Sequence, residues 1–241
     1  MDNRKIVPPT YEVHNYLHIP KTGGTGLKYA LTEFEETDDP SFPRIVMPEK
    51  GHTQRLASMG SNVCFIIRHP LERFCSGFWE RVNMQARKEL AETTYKDQMQ
   101  FGYKDLSKLE IEILDQCATP NDYISYIRQG GNVVGTNPGL FELTAPLSKW
   151  LGNIPTFQSN EHKIKLVYHV KDLNRIMSNV YSIKMPTDPF KMRSRALFNT
   201  AQSYKVSGIN RDWFEHEYRK QDYDLIKYIK TRPYWVDWEQ L

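Results

Sequence analysis

The stretch Asn15-Tyr16-Leu17-His18-Ile19-Pro20-Lys21-Thr22-Gly23-Gly24-Thr25-Gly26-Leu27 constrains this chain more than any other, because it changes conformation twice in a short span. From His14 to Ile19 the residues are extended-type and stop at a proline, which pushes the residue before it away from helix. Leu27, Ala30, Leu31 and Phe34 then recur at helical intervals, so the glycines are expected in a strand-to-helix turn. Such a turn directs several backbone N–H groups to one place, at the positive end of the helix dipole, and so holds an anion. Glycine permits positive φ and close approach of the backbone, Lys21 supplies a mobile cation, and Thr22 and Thr25 add hydroxyl donors. A Gly-Gly pair alone reads more simply as a tight turn. The lysine and two threonines around it make Lys21, Thr22, Gly23, Gly24, Thr25 and Gly26 a candidate anion cradle.

The rest of the chain alternates in the same way. Asn62 to Arg68 is a continuous apolar run of the kind found in a parallel sheet covered on both faces, and Pro70 stops it. A helix is expected from Leu71 into the eighties, with Leu71, Phe74, Phe78 and Val82 on one stripe. Residues 36 to 51 read as a loop-rich connection around a short strand at Arg44 to Met47, and residues 86 to 118 as more polar and partly helical. Asp122 to Gln129 reads as a helix ended by Gly130-Gly131, Thr136 to Gly139 as a turn, Ile164 to Val170 as a strand and Leu173 to Val180 as its following helix. Residues 184 to 208 are loop-like and basic, and a closing helix is expected from Arg211 to Ile229. Alternating strands and helices make an α/β domain, expected as a single domain over residues 1–241.

Composition narrows the function classes. With 39% hydrophobic and 25% charged residues the chain is an ordinary globular protein. A net charge of +3 accommodates an anionic ligand but is too mild to argue for nucleic acid. Cys64, Cys75 and Cys117 contain no C-x-x-C pair, which fits neither a disulfide framework nor a zinc site; a reducing compartment is the simplest reading, with Cys64 in the core. The seven histidines show no H-E-x-x-H spacing, so no metal is expected. No segment approaches the roughly 20 apolar residues of a membrane span, and the N-terminal residues lack the apolar stretch of a secretory signal.

The turn fails the nucleotide pattern G-x-x-x-x-G-K-[ST], because Lys21 precedes its glycines. The order Pro-Lys-Thr-Gly-Gly-Thr after a strand ending His-Ile instead resembles the 5′-phosphosulfate loop of sulfotransferases that use 3′-phosphoadenosine 5′-phosphosulfate (PAPS). A second segment, Ile67-Arg68-His69-Pro70-Leu71-Glu72-Arg73-Phe74-Cys75-Ser76-Gly77-Phe78, is similar to that family's R-D-P-x-x-R-x-x-S segment, with Arg68 and Ser76 at the same spacing. The resemblance is nearest to the carbohydrate sulfotransferases of the heparan sulfate 2-O and 6-O type. Specific matches cover residues 15 to 80, and looser similarity extends to Trp150-Leu151, the Leu166 to Asp172 strand and turn, and Asp222-Tyr223-Asp224. The chain departs from the family at His69, where aspartate is usual, and at Gly26, where serine is commoner.

The resemblance implies a P-loop-like three-layer domain with a central, mainly parallel sheet flanked by helices. It implies a PAPS-dependent sulfotransferase in which Lys21 stabilises the leaving oxygen, the turn holds the 5′-phosphosulfate, and Arg68 and Ser76 hold the 3′-phosphate. Lys205, in the basic loop, is a further candidate for that phosphate or for an acidic polysaccharide. His52, between the two motifs, lies where the 2-O and 6-O enzymes place a catalytic histidine; Glu33, Glu35 and Glu36 are the competing bases. The implied acceptor is a carbohydrate hydroxyl, no metal is required, and a cytosolic bacterial or viral enzyme fits better than a Golgi-resident one. A P-loop kinase or NTPase and a noncatalytic nucleotide-binding module remain the alternatives.

Overall fold

The computed structural model describes residues 12–24, 27, 31, 42–47, 54–91, 108–131, 145–183 and 204–236. The strands are β1 (Val13–Tyr16), β2 (Arg44–Val46), β3 (Val63–Ile67), β4 (Ile164–His169) and β5 (Trp235–Val236). Among the described residues the helices are α1 (Pro70–Ala91), α2 (Lys108–Gln116), α3 (Pro120–Arg128), α4 (Ser148–Leu151), α5 (Ile154–Ser159), α6 (Leu173–Tyr181), α7 (Gly208–Trp213) and α8 (Lys220–Lys230). The chain forms two compact units, one from Met1–Ile67, Trp150–Met192 and Lys230–Leu241, the other from Arg68–Lys149 and Arg193–Ile229.

The first unit is built on a five-stranded sheet in the order β2-β1-β3-β4-β5, with every neighbouring pair parallel. The expected α/β class with a parallel sheet is therefore present. β3 is its centre: Val63, Cys64, Phe65, Ile66 and Ile67 are all fully buried, which is why this strand reads as an unbroken apolar run rather than an alternating one. Parallel neighbours need crossover connections, and the flanking helices come from these. α6 presents Leu173, Ile176, Met177 and Tyr181 at helical spacing to Tyr16, Ile45, Cys64, Ile66 and Tyr168 of the sheet. It stops at Ser182, whose φ of 55° turns the chain left-handed, and the N–H of Ile183 bonds back to the Met177 carbonyl. Cys64 packs in this core as the sequence predicts, and burial pushes its thiol up to about 12.

The second unit is organised by α1. Pro70 occupies the first helical position, where its missing N–H costs nothing, and the His69 carbonyl accepts the Arg73 N–H at 2.9 Å. The predicted stripe is real: Leu71, Phe74, Cys75 and Phe78 are buried against Tyr123, Ile124 and Ile127 of α3 and against Phe214 and Tyr223. The Phe74 ring lies 5.5 Å from Tyr123 and 5.1 Å from Phe214. α3 starts with reciprocal Thr119 and Asp122 hydrogen bonds and Pro120 at its first position. Two buried charges pin the segment before α4: Arg73 donates to the Ala145 carbonyl, and Asp222 accepts the Leu147 N–H at 2.8 Å. Burial pushes the Asp222 carboxyl up and holds Arg73 down at about 10, each opposed by the other's charge.

The closing helix differs from the single run expected over 211–229. α7 gives way to a wide turn over Phe214–Tyr218, closed by an Arg219 N–H to Phe214 carbonyl bond at 2.8 Å, before α8 begins at Lys220. The aromatic side chains explain the widening. Phe214 is buried, while Tyr218 stacks on Trp213 with centroids 5.1 Å apart and lies under the Arg219 guanidinium at 3.8 Å. Among the described residues no helix is long and apolar enough to cross a membrane. The turn expected at Thr136 to Gly139 lies outside the described residues.

Candidate functional site

The glycine turn follows β1 and folds as the spacing predicts. Beyond the strand, Leu17 still donates its N–H to the Cys64 carbonyl at 2.9 Å, which carries the chain along β3 before Pro20. Helix resumes at once: Gly24, Leu27 and Leu31 are helical, and the Leu27 N–H bonds the Gly23 carbonyl at 3.1 Å. Two glycines are required by what surrounds them. Gly23 has φ 94°, and a Cβ on it would lie 3.1 Å from Val170 Cγ2 and 3.2 Å from Leu173 Cδ2. A Cβ on Gly24 would fall 2.4 Å from the Nε2 of His18. The turn thus rests against the end of β4 and the start of α6 on one side and on an imidazole on the other.

Lys21 is half-buried and takes φ 65°, a left-handed conformation that a lysine adopts only against a steric cost. Thr22 is fully buried and donates its hydroxyl proton to the Ile19 carbonyl at 2.7 Å. That hydroxyl fastens the turn internally, so the donor role expected of its side chain is taken up by structure. Thr25 and Gly26 lie outside the described residues, as do His52 and the glutamates at 33, 35 and 36.

The second motif begins one residue after β3. Arg68 points its Nε to the Glu72 carboxylate at 3.5 Å, so its side chain leans along the first turn of α1. Glu72 and Ser76, four residues apart in α1, form a stripe on one helix face, and the Arg68 side chain reaches the first of them. The Arg68 guanidinium carbon also lies 5.9 Å from the centre of the Tyr204 ring. Lys205, exposed, is the residue after Tyr204, in the segment that leads to the Ser207 cap of α7. Beneath this stripe burial pushes the Cys75 thiol up to about 12, with Arg68 acting in the opposite sense.

Sheet order gives these positions meaning. β2 lies on one side of β1 and β3 on the other, so successive connections leave the sheet in opposite directions at the β1/β3 boundary. In open α/β sheets ligands bind outside the carboxyl ends of the strands at such a reversal. The glycine turn follows the carboxyl end of β1, and Arg68 follows that of β3.

Tyr204, beside Arg68, is a site candidate that motif matching does not single out, whereas His18, which packs against Gly24, belongs to the His-Ile strand end of the first motif. Among the described residues no group of three His, Cys, Asp or Glu side chains is placed to hold a metal ion. Comparison with protein-family models, with curated proteins and with solved structures returned no match.

Proposed function

We propose that this chain is a PAPS-dependent sulfotransferase with a P-loop-like donor site, acting on a carbohydrate hydroxyl. The observation that carries the reading is the glycine turn, with Lys21 held at φ 65°, standing at the carboxyl end of β1 beside the reversal in the sheet. A site of backbone N–H groups and a lysine suits the donor, in which the transferred group carries a single negative charge. In the proposed reaction the acceptor oxygen attacks sulfur in line and the bond from sulfur to the bridging oxygen breaks. Its electron pair remains on the 5′-phosphate, where Lys21 meets the developing charge. Arg68 and Ser76 hold the 3′-phosphate, with Lys205 as a further cation. His52 takes the acceptor proton, and Glu33, Glu35 and Glu36 are the bases to replace next.

Transfer of radiolabelled sulfate from PAPS to a panel of glycans, lipids and peptides tests the reading. Label is expected on a glycan, and His52→Ala should lower turnover by about a hundredfold or more while leaving nucleotide affinity intact. Absence of transfer to every acceptor class, together with hydrolysis of ATP, would turn the assignment to a kinase or NTPase.

A further inference from the structure

Within its own unit the Arg68 guanidinium has neighbours of two different kinds. Its Nε lies 3.5 Å from the exposed carboxylate of Glu72, in the first turn of α1, and its central carbon lies 5.9 Å from the centre of the Tyr204 ring. Tyr204 comes from far along the chain, and its segment is anchored just beyond it. Val206 packs on the core that holds Phe74 and Phe78, the Ser207 N–H donates to the Asn121 Oδ1 at 2.9 Å, and the Ser207 hydroxyl caps α7 by accepting the Asn210 N–H. The place of the ring beside Arg68 is therefore set by α3 and the core. The two neighbours act on the arginine differently. A carboxylate neutralises a guanidinium and competes with an anionic ligand for it, whereas an aromatic ring attracts the cation through its quadrupole and brings no net charge.

We propose that Tyr204 is a positioning residue for nucleotide discrimination, its ring restraining the Arg68 guanidinium from settling onto Glu72 and so preserving its charge for a 3′-phosphate. The proposal rests on the sulfotransferase reading, in which Arg68 meets that phosphate; Tyr204 acts through Arg68 and needs no contact with the ligand. Physical chemistry gives the ring two effects. Arginine is a long side chain that loses rotamer freedom when it engages an anion, and a restraint already present in the unliganded protein lowers that cost. The Glu72 pair is exposed and screened by solvent, so a contact of modest strength on the other side is enough to shift the balance between them. The ring, not the hydroxyl, carries both effects.

Calorimetric titration with adenosine 3′,5′-bisphosphate and with adenosine 5′-monophosphate tests this, the quantity read being the ratio of the two affinities. Tyr204→Leu should lower the ratio by about three- to fivefold, the size of an exposed cation–π contact. Tyr204→Phe, which keeps the ring, should stay within about 1.5-fold of wild type. In an Arg68→Ala background Tyr204→Leu should change the ratio no further, because the two residues act as one unit. Adding Glu72→Gln to Tyr204→Leu should restore most of the ratio by removing the competing carboxylate. Tyr204 is 39% exposed, so its replacement leaves the core intact. An unchanged ratio in Tyr204→Leu, equal weakening of both nucleotides, a phenylalanine variant as impaired as the leucine one, or a further fall in the Arg68→Ala background overturns the role of Tyr204 while leaving the donor site standing. Wild type that binds neither nucleotide, or binds the two equally, overturns the sulfotransferase reading and this inference with it.

Discussion

At position 21 a lysine holds φ 65°, a conformation that costs a residue with a Cβ about 1 kcal/mol. Glycine would adopt it freely, and the next glycines show that the turn readily accommodates such residues. Strain kept at a charged residue points to a function for the charge, since stability alone favours glycine. Lys21→Gly should therefore leave thermal stability unchanged or raise it by up to about 1 kcal/mol, while turnover falls as far as in Lys21→Ala. Donor affinity should fall less than turnover in both, because the proposed contact would strengthen as charge develops on the leaving oxygen. A Lys21→Gly protein with wild-type turnover removes Lys21 from the reaction. Residue types at this site were readable in the chain, but directions were not. Thr22 announces a hydroxyl donor, and only the folded turn shows its proton committed to the Ile19 carbonyl.

β1 carries a histidine whose surroundings act through the strand and its neighbours. His14 is buried, with Nδ1 2.7 Å from the Tyr181 hydroxyl on α6 and Nε2 3.6 Å from the Glu12 carboxylate, which itself pairs with Lys165 of β4. Burial foremost, and Lys165 after it, hold the imidazole below its ordinary range, while Glu12 opposes them. The unfolded chain therefore takes up the proton first, near about pH 6.5. Stability from neutral His14 is complete above that value and is lost as pH falls toward the depressed folded value. Melting temperature should drop between about pH 7.5 and 5, and His14→Gln should flatten that slope; parallel curves for the two proteins would refute the assignment. Elements of this kind were largely legible: β3 from its apolar run, α6 from its spacing, α1 from its stripe. The closing helix was not, because an i to i−5 bond at Phe214 follows from the packing of Trp213, Phe214 and Tyr218, and residue spacing carries no trace of it.

Across the whole molecule, the order of strands was the part that local pattern could not supply. Apolar runs identify strands, but pairing partners are set by long-range contacts between segments such as Asn15 with Val63 and Phe65 with Val167. The order β2-β1-β3-β4-β5 makes the carboxyl ends of β1 and β3 the natural place for a ligand, and each is followed by one of the two motifs. Binding to the folded state alone stabilises it by mass action, about 2.7 kcal/mol at a ligand concentration 100 times Kd. Adenosine 3′,5′-bisphosphate should accordingly raise the melting temperature in proportion to the logarithm of its concentration, with ATP and magnesium giving a smaller shift. In the proposed site Arg68 would decide that preference, since a charge-assisted contact to a 3′-phosphate contributes on the order of 2 kcal/mol or more. In Arg68→Ala the shift with the bisphosphate should shrink to that produced by the 5′-monophosphate, while the monophosphate shift stays as in wild type. If Arg68→Ala diminishes both shifts equally, the arginine supports the site's shape rather than reading the 3′-phosphate, and the donor would have to be recognised elsewhere on the chain.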